Sequence, residues 1–208
     1  MKKLLYILCL LQVPSVVAAQ ENDEYIHRYV GIGIRASVFQ VSELPVNIIP
    51  PNRILINIDP IKYARAEFHF GRYASTREIY YSSFTGTPTL LKLKDVSTVV
   101  GFGVFGTYPV GKAKFLAGMR YSINNYEQGD IDFDTMGNPY VITNTGKISI
   151  LSGVAGGEYY FSKWFSIGAE FSLVSMDDVF DPADPASQNQ TTTTSITESS
   201  LVFRFYPY

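Results

Sequence analysis

The chain has 208 residues, with 17 Lys and Arg against 19 Asp and Glu, 17% charged and 14% aromatic. It is too apolar for an acidic disordered tail and not basic enough for a general polynucleotide binder, which excludes nucleic acid as the expected partner. One cysteine, Cys9, rules out a disulfide framework, and no stretch after residue 19 approaches the roughly 18 to 20 apolar residues of a membrane helix.

In chain order, Lys2 and Lys3, the apolar run Leu4 to Leu11, Pro14 and the small-residue exit Val17-Ala18-Ala19 have the layout of a secretory signal. Residues 1–19 are therefore expected to be cleaved. The mature chain, residues 20–208, then carries 15 basic against 19 acidic residues and no thiol, which excludes cysteine-ligated metals and cysteine nucleophiles. His27 falls in a polar leader. From residue 29 onward the hydrophobic period is two, which points to strands on an all-β chain. Residues 29–41 set Val30, Ile32, Ile34, Ala36 and Val38 against Gly31, Gly33, Arg35 and Ser37. Residues 42–60 read as a long loop. Residues 61–71 set Ala64, Ala66, Phe68 and Phe70 against Tyr63, Arg65, Glu67 and His69, and 76–85 reads as a further strand after a short turn at Arg72 to Ser75.

Strands follow at 94–108, 113–126, 146–161, 165–174 and 195–206. Short turns are expected at Pro109 to Lys112 and Ser162 to Lys163, and long loops at 86–93, 127–145 and 175–194, rich in Pro, Asn, Asp, Ser and Thr. Eight strands with alternating short and long connections predict a single eight-stranded antiparallel up-and-down barrel.

Closure leaves a soluble barrel with an apolar interior or a transmembrane β-barrel with an apolar exterior. In the second case Arg35, Arg65, Arg120 and Arg204 meet Glu67, Glu158, Glu170 and Glu198 inside, with His69 beside them, and equal numbers allow pairing. Aromatics cluster beside the expected short turns and at the carboxyl end: Tyr108, Tyr159, Tyr160, Phe161, Trp164, Phe165, Tyr206 and Tyr208. These form a candidate interfacial girdle and favour the membrane form.

The opening Tyr29-Val-Gly-Ile-Gly-Ile-Arg35, the hairpin from Gly156 to Phe171 and the aromatic finish Phe203-Arg-Phe-Tyr-Pro-Tyr208, together with the signal, resemble the outer-membrane β-barrel domain family of OmpA/OmpX-like eight-stranded barrels. The resemblance covers the mature chain. It implies a bacterial outer-membrane location among lipids and lipopolysaccharide. It also implies insertion by the barrel-assembly machinery through a terminal strand whose signal residues are Phe203, Phe205, Tyr206 and Tyr208. Pro207 departs from the family pattern, because it removes a ladder donor near the end of that strand.

No cofactor is expected, and the chemistry candidates each have a plainer reading. His69 beside Glu67 suggests a lipid hydrolase base, but the family's His-x-Ser-Asn pattern is missing and the expected direction is inward. Asp130, Asp132 and Asp134 alternate as in a cation loop, yet lack the glycine and the twelfth-position glutamate of an EF-hand. The inward Arg and Glu set either plugs the lumen or lines a narrow path, and an eight-stranded interior is small enough for side chains to fill it. The expectation is a non-enzymatic outer-membrane anchor that displays its long loops. A narrow porin-like channel and an exported lipocalin-like soluble barrel, with Phe68, Phe171 and Phe203 inside, are the alternatives.

Overall fold

The computed structural model describes residues 29–41, 52–82, 88–181 and 190–207. The signal segment, His27 and Tyr208 lie outside the described residues. Eight strands, β1 (Val30–Val41), β2 (Asn52–Ile61), β3 (Ala64–Ser82), β4 (Pro88–Val110), β5 (Ala113–Phe133), β6 (Pro139–Tyr160), β7 (Phe165–Asp181) and β8 (Gln190–Phe205), form a closed antiparallel barrel. Each pairs with its sequence neighbours, and β1 closes on β8.

The count of eight matches the sequence reading, but two of its strands are drawn differently. Residues 52–60, assigned to a loop, form β2 together with Ile61: Ile54, Ile56 and Ile58 face out, while Arg53, Leu55, Asn57 and Asp59 face in. Flanking Pro50, Pro51 and Pro60 mask this alternation in the sequence. The expected turn at Arg72 to Ser75 lies inside β3, whose upper half is the segment read as a separate strand. Nothing in Arg72-Tyr-Ala-Ser75 forces φ positive or removes a ladder donor, so the strand continues through it in register with Asp95 to Thr98. The real short turn is Lys62–Tyr63. The described residues of the polar segments 86–93, 127–145 and 175–194 are also largely strand, because hairpin pairing satisfies their backbone without burying their side chains.

Register fixes the dimensions. Following partners from Ile34 leads through Ile54, Phe70, Val100, Ile123, Ser149 and Asp177 to Thr193 on β8. Ile34 itself pairs with Phe203 on β8, so the stagger around the barrel is ten residues, 203 against 193. With eight strands this implies a tilt of about 40°, a radius of about 8 Å and a rise of about 2.5 Å per residue along the axis.

Short connections gather at one end, at 62–63, 111–112 and 161–164, and Gly111 takes φ 58° in the tightest of them. At the other end β3 to β6 continue for about ten residues, or about 25 Å, beyond the described residues of β2. The β4–β5 ladder ends at Asp95 opposite Gln128, so the β3–β4 and β5–β6 hairpins separate above it, and their tips meet again where Tyr81 contacts Phe133 edge-on at 5.3 Å.

In the β5–β6 turn, Asp134 accepts the Met136 and Asn138 amides at 2.9 and 2.8 Å and the Asn138 side chain at 3.0 Å. These donors, the Asn138 side chain first, hold its carboxyl below the ordinary carboxylate value. The turn is therefore tightest above the ordinary carboxylate value, and that contribution fades as pH falls through the lowered folded value. In an NMR titration Asp134 is expected to titrate below free aspartate, with the Asn138 amide reporting the same midpoint. Titration at the ordinary value counts against this turn.

Candidate functional site: a charged lumen inside an apolar wall

The two faces of the wall have opposite character. Outward positions are apolar along β5 from Phe115 to Ile123, along β6 from Tyr159 up to Leu151, and along β7 from Phe165 to Leu173. At about 2.5 Å per residue these stretches make a belt of about 20 to 25 Å. Phe68, Phe171 and Phe203, which a soluble lipocalin-like barrel needs inside, are 54%, 48% and 39% exposed on the outside. Above the belt the outward residues become Arg72, Thr98, Asn125, Lys147 and Ser175.

At the short-turn end, Tyr108, Tyr159, Phe161 and Phe165 are exposed, and Trp164 stacks on Phe205 with ring centroids 6.2 Å apart. Tyr206 and Tyr160 do not join this ring. Both are buried in the lumen, hydroxyls 3.3 Å apart, because outward Phe205 and Tyr159 force their neighbours inward. The carboxyl-terminal residues Phe203 and Phe205 face out, while Tyr206 donates to Glu158.

The lumen holds a continuous ion-pair network. At the short-turn end Asp59 accepts Arg65 at 2.7 and 2.9 Å and Lys114 at 2.8 Å. Glu158 accepts Arg65 at 2.7 Å, Arg204 at 3.3 Å and the hydroxyls of Ser166 and Tyr206. One layer up, Glu67 takes Arg120 at 2.6 Å and Arg204 at 3.2 Å, and Glu170 takes the same two arginines at 3.1 and 3.2 Å. Higher still, Arg35 pairs with Glu198 at 2.9 Å and with Ser200 at 2.9 Å, while Ser37 donates to Glu198. His69 meets Ser122 at 2.8 Å through Nε2. All nine inward residues singled out in the sequence lie in this network or against it.

Sequence reasoning missed Arg53, Asn57 and Asp59, which lie on unrecognised β2, and Lys114, whose inward direction follows from outward Phe115. It also missed the roof. Above the charges, the inward side chains Tyr126, Ile148, Ile150, Val174, Met176 and Ile196 form an apolar cluster, with Phe180 packed on it. The glycines fit around these groups: a Cβ at Gly101 would lie 2.5 Å from the His69 ring, and one at Gly118 would lie 2.1 Å from the Val104 carbonyl.

The acidic triplet does not converge. Asp130 accepts the following Ile131 amide, Asp132 accepts Phe133 N–H and the Tyr140 hydroxyl, and Asp134 caps its turn. Among the described residues no group of three or more His, Cys, Asp or Glu is arranged to hold a metal ion.

No protein-family model matches this chain, and no curated protein matches it. Among solved structures it is similar to CarO2 of Acinetobacter baumannii, with 11% identity and a TM-score of 0.37 over 86% of this chain and 99% of that one.

Proposed function

We propose that this chain is an integral outer-membrane β-barrel that acts as a sealed, non-enzymatic anchor for the strands and loops it raises above the membrane. The observation that carries the reading is the inverted polarity: exposed Phe68, Phe102 and Phe171 outside, buried Arg65, Arg120 and Arg204 inside. Water on the outside would solvate neither the aromatic belt nor the buried charges, whereas lipid suits the first and mutual pairing suits the second.

The sealing has two supports. Asp59, Glu67, Glu158 and Glu170 are each shared between cations from two strands or more and Glu198 is taken by Arg35, so among the described residues no row of free carboxylates lines a path. The apolar roof then interrupts the polar interior on the tall side. Assembly through the terminal strand and contact with lipopolysaccharide belong to the same proposal, as does the absence of turnover: His69 points at Ser122 in the lumen, away from the lipid that an outer-membrane hydrolase would attack.

The test is to refold the chain into lipid vesicles and planar bilayers. Trp164 at the girdle is expected to be quenched by a headgroup-level lipid quencher, and the bilayers to show no stepwise conductance. Steady single-channel steps would replace the anchor by a narrow channel. A protein monomeric in buffer, with Trp164 untouched by the quencher, would overturn the membrane placement altogether.

A further inference from the structure

We propose that the outer end of the lumenal network binds a small monovalent anion, a halide or a short carboxylate, held by Arg53 of β2 with His69 of β3 beside it. Among the described residues the buried cations are Arg35, Arg53, Arg65, Lys114, Arg120 and Arg204, and the buried carboxylates are Asp59, Glu67, Glu158, Glu170 and Glu198. Every carboxylate is taken by cations other than Arg53. Arg53 is 5% exposed, makes no ion pair among the described residues, and its Nε has no hydrogen-bond partner.

Register explains why this guanidinium is left over. Arg53 stands directly opposite Arg35, a like-charge pair on neighbouring strands. Arg35, on the β8 side, takes Glu198, whose other oxygen accepts Ser37. On the other flank Arg53 faces Gly71, which offers no side chain. The next inward group on β3 is His69, one rung away opposite Leu55, and its Nδ1 has no partner. The direction of the His69–Ser122 hydrogen bond follows the tautomer, and the tautomer that suits an anion is the one in which the Ser122 hydroxyl donates to Nε2 and the ring proton sits on Nδ1. In that tautomer two N–H donors on adjacent strands lack an acceptor, at the end of a network that holds six buried cations and five buried carboxylates among the described residues, and an anion relieves both the missing acceptor and the excess charge.

Packing narrows the ligand. A Cβ at Gly71 would already lie 3.0 Å from Val99 and 3.2 Å from Arg53 Cγ, so close packing on this flank excludes a sugar-sized solute. This proposal does not depend on the membrane placement.

The experiment is thermal unfolding of the refolded chain in detergent at constant ionic strength, in chloride, formate or gluconate. The unfolding temperature is expected to rise saturably with chloride or formate but not with bulky gluconate, and Arg53→Met is expected to abolish the dependence. Arg53→Lys, which keeps the charge but loses the guanidinium donors, is expected to move the midpoint to about tenfold more anion. Bromide in crystals of the unaltered chain is expected to give an anomalous peak beside Arg53 Nε, which decides the matter even where Arg53→Met does not refold. Equal unfolding temperatures in the three salts, dependence that survives Arg53→Met, or bromide found only elsewhere would each overturn the site. A response to formate without bromide density would identify a carboxylate site.

Discussion

Replacing Glu158 by Gln is expected to lower the unfolding free energy of the refolded barrel by about 3 to 5 kcal/mol, the usual scale for removing one partner of a buried ion pair. Glu158 accepts from Arg65, Arg204, Ser166 and Tyr206, which come from β3, β8, β7 and the residue after β8, and it lies on β6. A neutral amide leaves two guanidinium groups short of negative charge where water does not reach them. It also brings N–H donors of its own toward groups that are themselves donors. The matched control is Lys92→Ala, which removes the Lys92–Glu78 pair at 2.8 Å between side chains 63% and 51% exposed. That change is expected to stay within about 1 kcal/mol, because solvent screens the pair. Urea unfolding in lipid vesicles measures both. If Glu158→Gln behaves like Lys92→Ala, the network is well hydrated and the sealed-lumen account fails.

Phe68→Arg carries the second large effect. Phe68 faces outward at the middle of the belt, between Ile56 and Phe102 on the adjoining strands. An arginine there is expected to destabilise the barrel in a bilayer by about 2 to 4 kcal/mol, against about 0 to 1 for Thr98→Arg above the belt's upper border. Both positions are on the outside of the wall and neither fills the lumen, so the contrast between them reports depth in lipid. On a water-exposed surface the two substitutions would be equally mild. Equal effects in vesicles would therefore remove the belt from the membrane.

Most of the barrel was legible in the sequence because its physics is local. A strand with one apolar face repeats every two residues, and Phe165, Ile167, Ala169 and Phe171 against Ser166, Gly168 and Glu170 states that period without reference to any partner. The misplaced elements are those whose local signals conflict with pairing. Prolines around Asn52–Ile61 resemble loop chemistry, yet Pro51 precedes the strand, and Pro60 falls near its end at an irregularity in the ladder, between Ile58 and Ile61. Polar residues in 127–133 and 139–145 read as loop, yet they pair as a hairpin whose ladder satisfies the backbone without an apolar face. Tyr206 has the residue type of the girdle but the parity of the lumen, because outward Phe205 turns it inward.

By itself, the sequence determined the two-faced strands, and hence which charges share a side of the wall and which aromatics share the other. Only the tertiary structure decided which charges meet. Arg65 finds Glu158 ninety-three positions away, and Arg120 reaches Glu67 and Glu170, through closure of the ring and its ten-residue stagger. That stagger also places the apolar roof over the ion pairs, and the β1–β2 register sets Arg53 against Arg35. The physical reason is that alternation is a property of one strand, whereas register is a collective property of eight strands that satisfy their backbone hydrogen bonds together.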